Sequence, residues 1–167
     1  MDNFYSIFRT AFGYFGVVKN SKGILRVVGF FSRAMEVKTT LFNEFKGRLI
    51  QNDQALLPIK NKINHLLTGR RVKFSEKLFW GQAGEFERLV WRAAASIGWG
   101  KTRSYQWIAN KIGRPKTWRA VGNALGRNPM PLLVPCHRVI ASNGKLGGYA
   151  FGKRIKQNLL ELEGRVS

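Results

Sequence analysis

The sequence predicts two domains, an α/β domain over residues 1–80 with a small sheet and helices, and a mainly α domain over residues 81–167 that contains a helix-turn-helix. Three observations lead to this fold class. Apolar and polar residues alternate over residues 4–31, which is the period of a half-buried strand. Apolar residues recur at helical spacing from Glu85 onward. Residues 70–84 are rich in charge and glycine, as expected of a connector, so the boundary is predicted near residue 80.

The first domain is predicted to be a small sheet followed by two helices. The cluster Asn20-Ser21-Lys22-Gly23 separates two alternating runs and predicts a hairpin turn. Residues 39–50 and 58–68 carry apolar side chains at helix-like spacing, and Gly69 is a suitable helix end.

A helix hairpin is predicted within residues 104–126. The apolar residues Ile108 and Ile112 lie one turn apart, Gly113-Arg114-Pro115 breaks the helix, and a second helix follows with Thr117 as its predicted N-cap. In a stretch free of acidic residues this pattern favours a helix-turn-helix, whose second helix enters a DNA groove. Helix hairpins are also common in ordinary protein cores, so the pattern alone does not decide between the two.

The chain then reaches its single cysteine. Prolines flank Leu132-Leu133-Val134, which predicts a short buried strand or extended rod with abrupt ends that delivers Cys136 to a fixed point. Asn143-Gly144 predicts a tight turn, and Gly147-Gly148 allows the backbone to approach a ligand. The last helix is predicted over residues 153–163, with Gly164 as its stop. Its predicted apolar face consists of Ile155, Leu159 and Leu162.

Composition and charge narrow the class of function. The formal net charge is +20, and no acidic residue occurs from Arg88 to Leu160, which favours nucleic acid over acidic membrane as the partner. No apolar run reaches the length of a membrane span and the start lacks a secretory-signal layout, so a cytoplasmic protein, nucleoid-associated when bound to DNA, is expected. One cysteine and two histidines cannot form a disulfide framework or an ordinary Cys/His zinc site, so no metal or cofactor is expected.

Cys136 is either a packed, inert side chain or a working nucleophile. A nucleophilic thiol needs a base to take its proton or a nearby positive charge to lower its pKa, and His137 and Arg138 offer both. Adjacent side chains on a helical turn do not face each other, so a water is the expected proton relay between Cys136 and His137. A carboxylate should orient His137, and the residues alone leave four candidates open: Glu85, Glu87, Glu161 and Glu163.

The motifs around Cys136 resemble those of the O6-alkylguanine-DNA alkyltransferase family. The resemblance is clearest over residues 84–164, where it rests on RAVGNAL, NPMPLLVPCHRVI, SNGKLGGY and LLELEG. It is weaker over residues 4–30 and the TGRRVKF segment. Together these motifs are highly specific. The resemblance implies DNA repair by stoichiometric transfer of an alkyl group from O6 of guanine to the cysteine, which consumes the protein.

The resemblance also implies roles for individual residues. Cys136 would accept the alkyl group, His137 would be its water-mediated base, Glu163 would hold His137, and Asn128 would lie at the turn leading to the cysteine. The implied substrate-binding residues are Tyr105, Arg138, Val139, Tyr149 and Ala150. The implied DNA-binding residues are Tyr105, Thr117, Trp118, Arg119 and Ala120, of which Arg119 would fill the base stack after the guanine rotates out.

The family's partner would be double-stranded DNA that contains O6-alkylguanine, with O4-alkylthymine as a second candidate lesion, and the chain is expected to be a monomer without a membrane contact. Three residues depart from the family pattern: Trp118 replaces a small residue, Phe151 replaces a usual glycine and is expected to narrow the pocket, and Ala150 replaces a frequent serine. Two alternatives remain at this point. One is a module that binds the lesion without accepting the alkyl group, and the other is a Cys-His hydrolase.

Overall fold

Three strands follow one another at the start of the computed structural model, which describes residues 1–164. They are β1 (Phe4–Thr10), β2 (Gly13–Asn20) and β3 (Gly23–Phe31), and they pair as an antiparallel meander. The predicted turn at Asn20–Gly23 is confirmed, and the Lys22 amide donates to Asn20 Oδ1 there at 2.8 Å. The alternation of apolar and polar residues did not predict the turn between β1 and β2, where the Thr10 hydroxyl donates to the Gly13 carbonyl at 2.8 Å.

Two helices and a fourth strand complete this unit. Helix α1 spans Ala34–Glu44 rather than the predicted 39–50. It begins earlier because the Glu36 carboxylate accepts from the Arg33 amide at 2.9 Å, and it ends earlier because Lys46 and Gly47 adopt positive φ angles of 51° and 71°. Ile50–Gln51 instead forms β4, which pairs parallel to β1 and gives the sheet order β3-β2-β1-β4. Helix α2 spans Leu57–Leu67, within one residue of the prediction.

The core of this unit is aliphatic and aromatic. Val37 and Leu41, one turn apart on α1, pack against Tyr5, Val18 and Val28 of the sheet. Helix α2 buries Ile59, Ile63, Leu66 and Leu67. The chain divides into two compact units, the first being Met1–Gly81 and the second beginning at Gln82.

The second unit is mainly helical. It contains α3 (Glu85–Ala95), α4 (Tyr105–Lys111), α5 (Trp118–Gly126) and α6 (Lys153–Leu162), with a parallel strand pair formed by β5 (Arg103–Ser104) and β6 (Val139–Ile140). Helix α3 packs against α4 and α5, and the Trp91 indole donates to the carbonyl of Ala124 on α5 at 2.9 Å. Residues 165–167, the end of the predicted second domain, lie outside the described residues.

Helices α4 and α5 lie where the hairpin was predicted, and they begin in different ways. The hydroxyl of Ser104 caps α4 by accepting from the Trp107 amide at 2.9 Å. Thr117 occupies the N-cap position of α5 without capping it, because its hydroxyl donates to the Arg114 carbonyl at 2.6 Å. The predicted N-cap position is therefore confirmed, but the side-chain hydrogen bond expected of a cap is not made.

The segment before Cys136 is a buried turn, so the predicted strand or rod at Leu132–Val134 is wrong. Leu132 has a φ angle of 73°, and the Val134 amide donates to the Met130 carbonyl at 2.9 Å. Asn128 closes this turn from within: its Oδ1 accepts from the Met130 amide, and its Nδ2 donates to the Val134 carbonyl, each at 2.9 Å. Proline has no N–H group to donate in a β-sheet, and hydrogen bonds from the Asn128 side chain hold the backbone here instead.

Within residues 1–164, no helix is long and apolar enough to cross a bilayer.

Candidate active site

Cys136 lies at the start of a 3₁₀ turn, Cys136–Arg138, that follows directly on the buried loop. Its side chain borders a cavity of about 650 Å³ and the residue is 8% exposed, so the sulfur is sheltered but reachable from this cavity. The other residues that line the cavity are Tyr105, Trp118, Arg119, Gly122, Asn123, Leu125, Gly126, Gly148, Tyr149 and Ala150.

Asn128 connects the loop to the thiol. The Nδ2 group that donates to the Val134 carbonyl also lies 3.2 Å from Cys136 Sγ, within hydrogen-bonding distance of sulfur. Both amide atoms of Asn128 are therefore engaged in holding the backbone before the cysteine or the cysteine itself. A donor directed at sulfur stabilises a thiolate more than a thiol.

A buried charge cluster lies next to the cysteine along the chain. His137 Nε2 is 2.8 Å from Glu163 Oε1, and Arg138 donates to both Glu163 oxygens, from Nε and Nη2, each at 2.8 Å. Glu163, the C-cap of α6, also accepts from the Gly100 amide at 3.4 Å and thus receives four donors. Arg138 Nη1 donates to the Ile97 carbonyl at 2.7 Å. Of the four glutamates that the residues alone left open, Glu163 is the one beside the imidazole.

The carboxylate determines the tautomer that we assign to His137. Because Nε2 faces Glu163 Oε1, the neutral ring carries its proton on Nε2 and leaves Nδ1 as an acceptor. Nδ1 is buried and has no hydrogen-bond partner among the described residues. The arrangement gives His137 a basic nitrogen directed away from the carboxylate.

The electrostatics of the site follow from burial and from these bonds. Burial raises the pKa of the Cys136 thiol, while the Asn128 amide and the Lys156 ammonium oppose that rise. Burial lowers the pKa of His137, and the bond to Glu163 opposes that change. Although burial raises the pKa of Glu163, the hydrogen bonds from His137 and Arg138 prevail and lower it from 4.5 to about 2. The resting site thus pairs a neutral thiol with a neutral imidazole and an ionised carboxylate.

Lys156 is a site residue that sequence reasoning missed. It is fully buried, and its ammonium group donates to the Val139 carbonyl at 2.5 Å and to the Gly148 carbonyl at 2.9 Å. The ammonium also lies 5.8 Å from the centre of the Tyr105 ring. The buried residues of α6 are Lys156, Leu159 and Leu160, and its C-cap Glu163 is also buried. Of the predicted face, Leu159 is buried as predicted, whereas Ile155 and Leu162 are only partly buried. The spacing Lys156-Leu159-Leu160-Glu163 is that of one helix face and could have indicated the buried side. It was missed because Lys156 and Glu163 are charged, and charged residues are not expected on a buried face.

Tyr105 and the glycine loop form one wall of the cavity. Tyr105 Oη is 3.4 Å from the Gly148 carbonyl, and burial raises the pKa of this phenol. Gly147 has a φ angle of 72°, and a Cβ atom at this position would lie 2.8 Å from Tyr105 Oη. A glycine is therefore required there both for the backbone conformation and for the approach of the ring. Tyr149 and Ala150 continue the same wall.

The first residues of α5 form the exposed rim of the cavity that contains Cys136. Trp118 and Arg119 border the cavity, and the Arg119 guanidinium lies 5.0 Å from the centre of the Trp118 ring. Ala120 is exposed and Thr117 is partly buried, and neither borders the cavity.

Three other residues lie elsewhere than expected. The Arg138 side chain is directed into the buried charge cluster rather than into the cavity, so a direct contact of this side chain with substrate is not supported. Val139 does not border the cavity, and its carbonyl already accepts from Lys156. Phe151 also does not border the cavity but packs edge-on against Tyr149, with ring centres 5.4 Å apart, so it does not narrow the space directly.

Comparisons with known protein sequences identify DNA methyltransferases as relatives. Residues 85–165 match the model of the family described as "6-O-methylguanine DNA methyltransferase, DNA binding domain". A methylated-DNA–protein-cysteine methyltransferase of Methanosarcina acetivorans is 37% identical over 161 residues, which is 96% of this chain and 98% of the relative. An inducible methylated-DNA–protein-cysteine methyltransferase of Bacillus subtilis is 43% identical over 119 residues, or 71% of this chain and 66% of the relative.

The similarity extends to solved structures. The structure of Mycobacterium tuberculosis OGT in complex with DNA superposes with a TM-score of 0.81 at 30% identity, covering 96% of this chain and 92% of that one. The structure of O6-methylguanine methyltransferase from the same organism gives a TM-score of 0.80 at 30% identity with the same coverage. The identity and coverage along nearly the whole chain place this protein in a known family: it belongs to the methylated-DNA–protein-cysteine methyltransferases.

Proposed function

We propose that this protein repairs DNA by moving an alkyl group from O6 of guanine to Cys136 Sγ, in a stoichiometric reaction that consumes the protein. The observation that carries the proposal is the position of the thiol. It borders a 650 Å³ cavity, accepts a hydrogen bond from Asn128, and precedes a histidine held by Glu163. The membership of the chain in its family supports the same reaction.

The thiol must lose its proton before it attacks, because the thiolate is the nucleophile. His137 Nδ1 accepts this proton through a bridging water, and the resulting imidazolium is stabilised by the ionised Glu163 carboxylate at Nε2. Asn128 Nδ2, 3.2 Å from Sγ, stabilises the sulfur anion. Arg138 keeps Glu163 ionised and in place, so its role is positioning rather than contact with substrate.

In the transfer step, Sγ attacks the alkyl carbon, the S–C bond forms and the O6–C bond breaks. The electrons of the broken bond remain on the guanine, which needs a proton to leave as the normal base. Tyr105, which borders the cavity beside Gly148, supplies this proton, and the proton that His137 took from the thiol returns through water to the Tyr105 phenolate. The backbone around Tyr149 and Ala150 closes over the base, and the carbonyl of Cys136 accepts from its amino group.

The guanine must leave the duplex to reach the sulfur. We propose that α4 and α5 act as a helix-turn-helix whose second helix, with Thr117, Trp118, Arg119 and Ala120 at its start, enters the minor groove of double-stranded DNA. Arg119, exposed at the rim of the cavity, fills the space that the extruded guanine leaves. The net charge of +20 and the DNA complex of the Mycobacterium tuberculosis relative support DNA as the partner. We propose that the protein binds it as a monomer.

Mass spectrometry of the intact protein tests the reaction. After exposure to an equimolar duplex that carries O6-methylguanine, we expect one added methyl group, located on the peptide that contains Cys136. The Cys136→Ser variant, with a hydroxyl of similar size, and an undamaged duplex are the controls and should give no added mass. If the wild-type protein stays unmodified at equimolar lesion, the proposal is wrong, and tight lesion binding without transfer would favour a binding module instead. A duplex with O4-methylthymine tests the second candidate lesion.

The role of Arg119 is tested by comparing two forms of the same lesion. We expect Arg119→Ala to slow transfer from duplex DNA and to slow it less from a single strand, where no stack has to be filled. The measured quantity is the single-turnover rate of methyl transfer to Cys136 on each substrate. Equal losses on both would contradict a role in base extrusion.

A further inference from the structure

Trp118 lies at the start of the proposed DNA-binding helix, but the proposed reaction gives its side chain no individual role. It is the first residue of α5, and 45% of the residue is exposed, although a large aromatic side chain gains from burial. Exposure of a single apolar residue is ordinary and by itself assigns nothing. The position of Trp118 is what distinguishes it, because the residue borders the cavity that ends at Cys136.

The neighbour of Trp118 adds a second observation. The Arg119 guanidinium lies 5.0 Å from the centre of the indole ring, and within residues 1–164 it forms no salt bridge. An exposed indole and an exposed guanidinium thus lie side by side at the entrance of a cavity, in a stretch without acidic residues. Both groups have flat faces, and both stack on nucleobases.

From this placement we infer that Trp118 is a nucleobase-stacking residue. Its indole stacks on an unpaired or unstacked base beside the lesion, outside the cavity, while Arg119 fills the position of the extruded guanine. The inference rests on the proposed function and assigns to Trp118 a separate subsite for a neighbouring base. Base stacking tolerates any sequence because every base has a π face, which suits a protein that meets lesions in any context.

Single-turnover transfer at increasing concentrations of lesion duplex tests the contribution of this subsite. We expect Trp118→Leu to raise the half-saturating DNA concentration about tenfold, which lies within the range for loss of one stacked base. We expect Trp118→Phe to recover most of the loss, because a flat ring remains. The matched control is Met35→Ala, which removes another exposed apolar side chain, in the first unit, and should behave as the wild type. Equal half-saturating concentrations for wild type and Trp118→Leu would overturn the inference.

A different arrangement would produce the same loss, namely that Trp118 only holds Arg119 in place. Repeating Trp118→Leu in an Arg119→Ala background separates the two. Independent stacking predicts that most of the loss persists, because the indole contacts its own base, although some coupling is expected of two side chains in contact. If the loss disappears in this background, Trp118 acts through Arg119 and the stacking subsite is rejected.

Tryptophan fluorescence tests stacking without any alkyl transfer. A duplex with an abasic site offers unstacked bases beside a gap, and a stacked base quenches indole emission. We expect the wild-type protein to lose more emission on binding this duplex than the Trp118→Phe variant loses. Equal quenching would overturn the inference even if methyl transfer occurs. Greater quenching in the wild type would support it even if transfer fails, so the two proposals can fail separately.

Discussion

The two units of the chain differ most in what their cores contain. Among the described residues, the first unit buries one polar side chain, Ser6, within a core of aliphatic and aromatic residues. The second unit buries four polar side chains, His137, Arg138, Lys156 and Glu163, and all four are ionisable. The core of the first unit is thus almost entirely apolar, whereas the core of the second unit also contains ionisable groups.

This difference indicates which core is devoted to chemistry. Buried ionisable groups carry a desolvation cost that paired charges and hydrogen bonds only partly offset, so they are weak evidence for stability. In the second unit they are all directly connected to the turn at Cys136 or to the walls of its cavity. We therefore expect substitutions of matched residue types to have different consequences in the two units.

The largest difference is expected between two arginine–glutamate pairs. Glu163→Gln removes a buried charge from Arg138, and we expect it to lower the free energy of unfolding by about 3 kcal/mol and to slow methyl transfer severely. Glu44→Gln breaks the exposed pair with Arg26 and should lower the free energy of unfolding by less than about 1 kcal/mol. Urea unfolding and single-turnover transfer measure both. Similar losses for the two variants would contradict the contrast between the units.

Two lysines offer a second matched comparison. Lys156→Met leaves the carbonyls of Val139 and Gly148 without their ammonium donor, and we expect the maximal transfer rate to fall about 100-fold as the cavity wall shifts. Lys62→Met removes a partly exposed ammonium that pairs with Glu76 at 2.6 Å in the first unit, and should leave the rate at the wild-type value. The measurement is single-turnover transfer at saturating DNA. A wild-type rate for Lys156→Met would show that its ammonium only fills space.

Acid should weaken the second unit through Glu163. Its pKa is about 2 in the folded protein against an ordinary value of 4.5, so between these values the unfolded chain binds the proton more readily than the folded one. The free energy of unfolding should therefore fall as the pH is lowered from 4.5 to about 2, and the contribution is fully present above this window. Urea unfolding at several pH values measures the fall. The Glu163→Gln variant is the control, and an identical pH dependence in wild type and variant would contradict this assignment.

The smallest effect concerns the reactivity of the free thiol. Because burial raises the pKa of Cys136 above its ordinary value of 9.0, we expect its alkylation by iodoacetamide to keep accelerating as the pH is raised past that value. Asn128→Ala removes the donor to Sγ and should slow alkylation at a given pH, since the Asn128 amide opposes the rise. The rate is followed by intact mass. A plateau well below pH 9.0 would show that the resting protein already holds a thiolate.

The sequence predicted elements best where a local signal was sufficient. The turns at Asn20–Gly23 and Asn143–Gly144 and the helices beginning at Glu85 and Lys153 depend on residues within a few positions of one another. The errors occurred where distant or unusual contacts prevail. Ile50 leaves the predicted first helix to pair with Phe4, and Asn128 folds the proline-flanked run into a turn with Leu132 at a positive φ.

For the site, the sequence by itself determined the chemistry: one thiol, a neighbouring imidazole, a basic surrounding and motifs specific enough to indicate a family. Those properties depend on residue types and on spacings of a few positions, and both can be read directly from the sequence. The residue pattern alone left four glutamates open, and the family resemblance already implied Glu163 as the partner of His137. Only the tertiary structure decided that Arg138 turns inward and that Lys156 lies buried between two carbonyls. The physical reason is that these hydrogen bonds, which span 8 to 41 positions of sequence, form only when α3 and α6 are packed against the turn Cys136–Arg138, and the sequence carries no local signal for them.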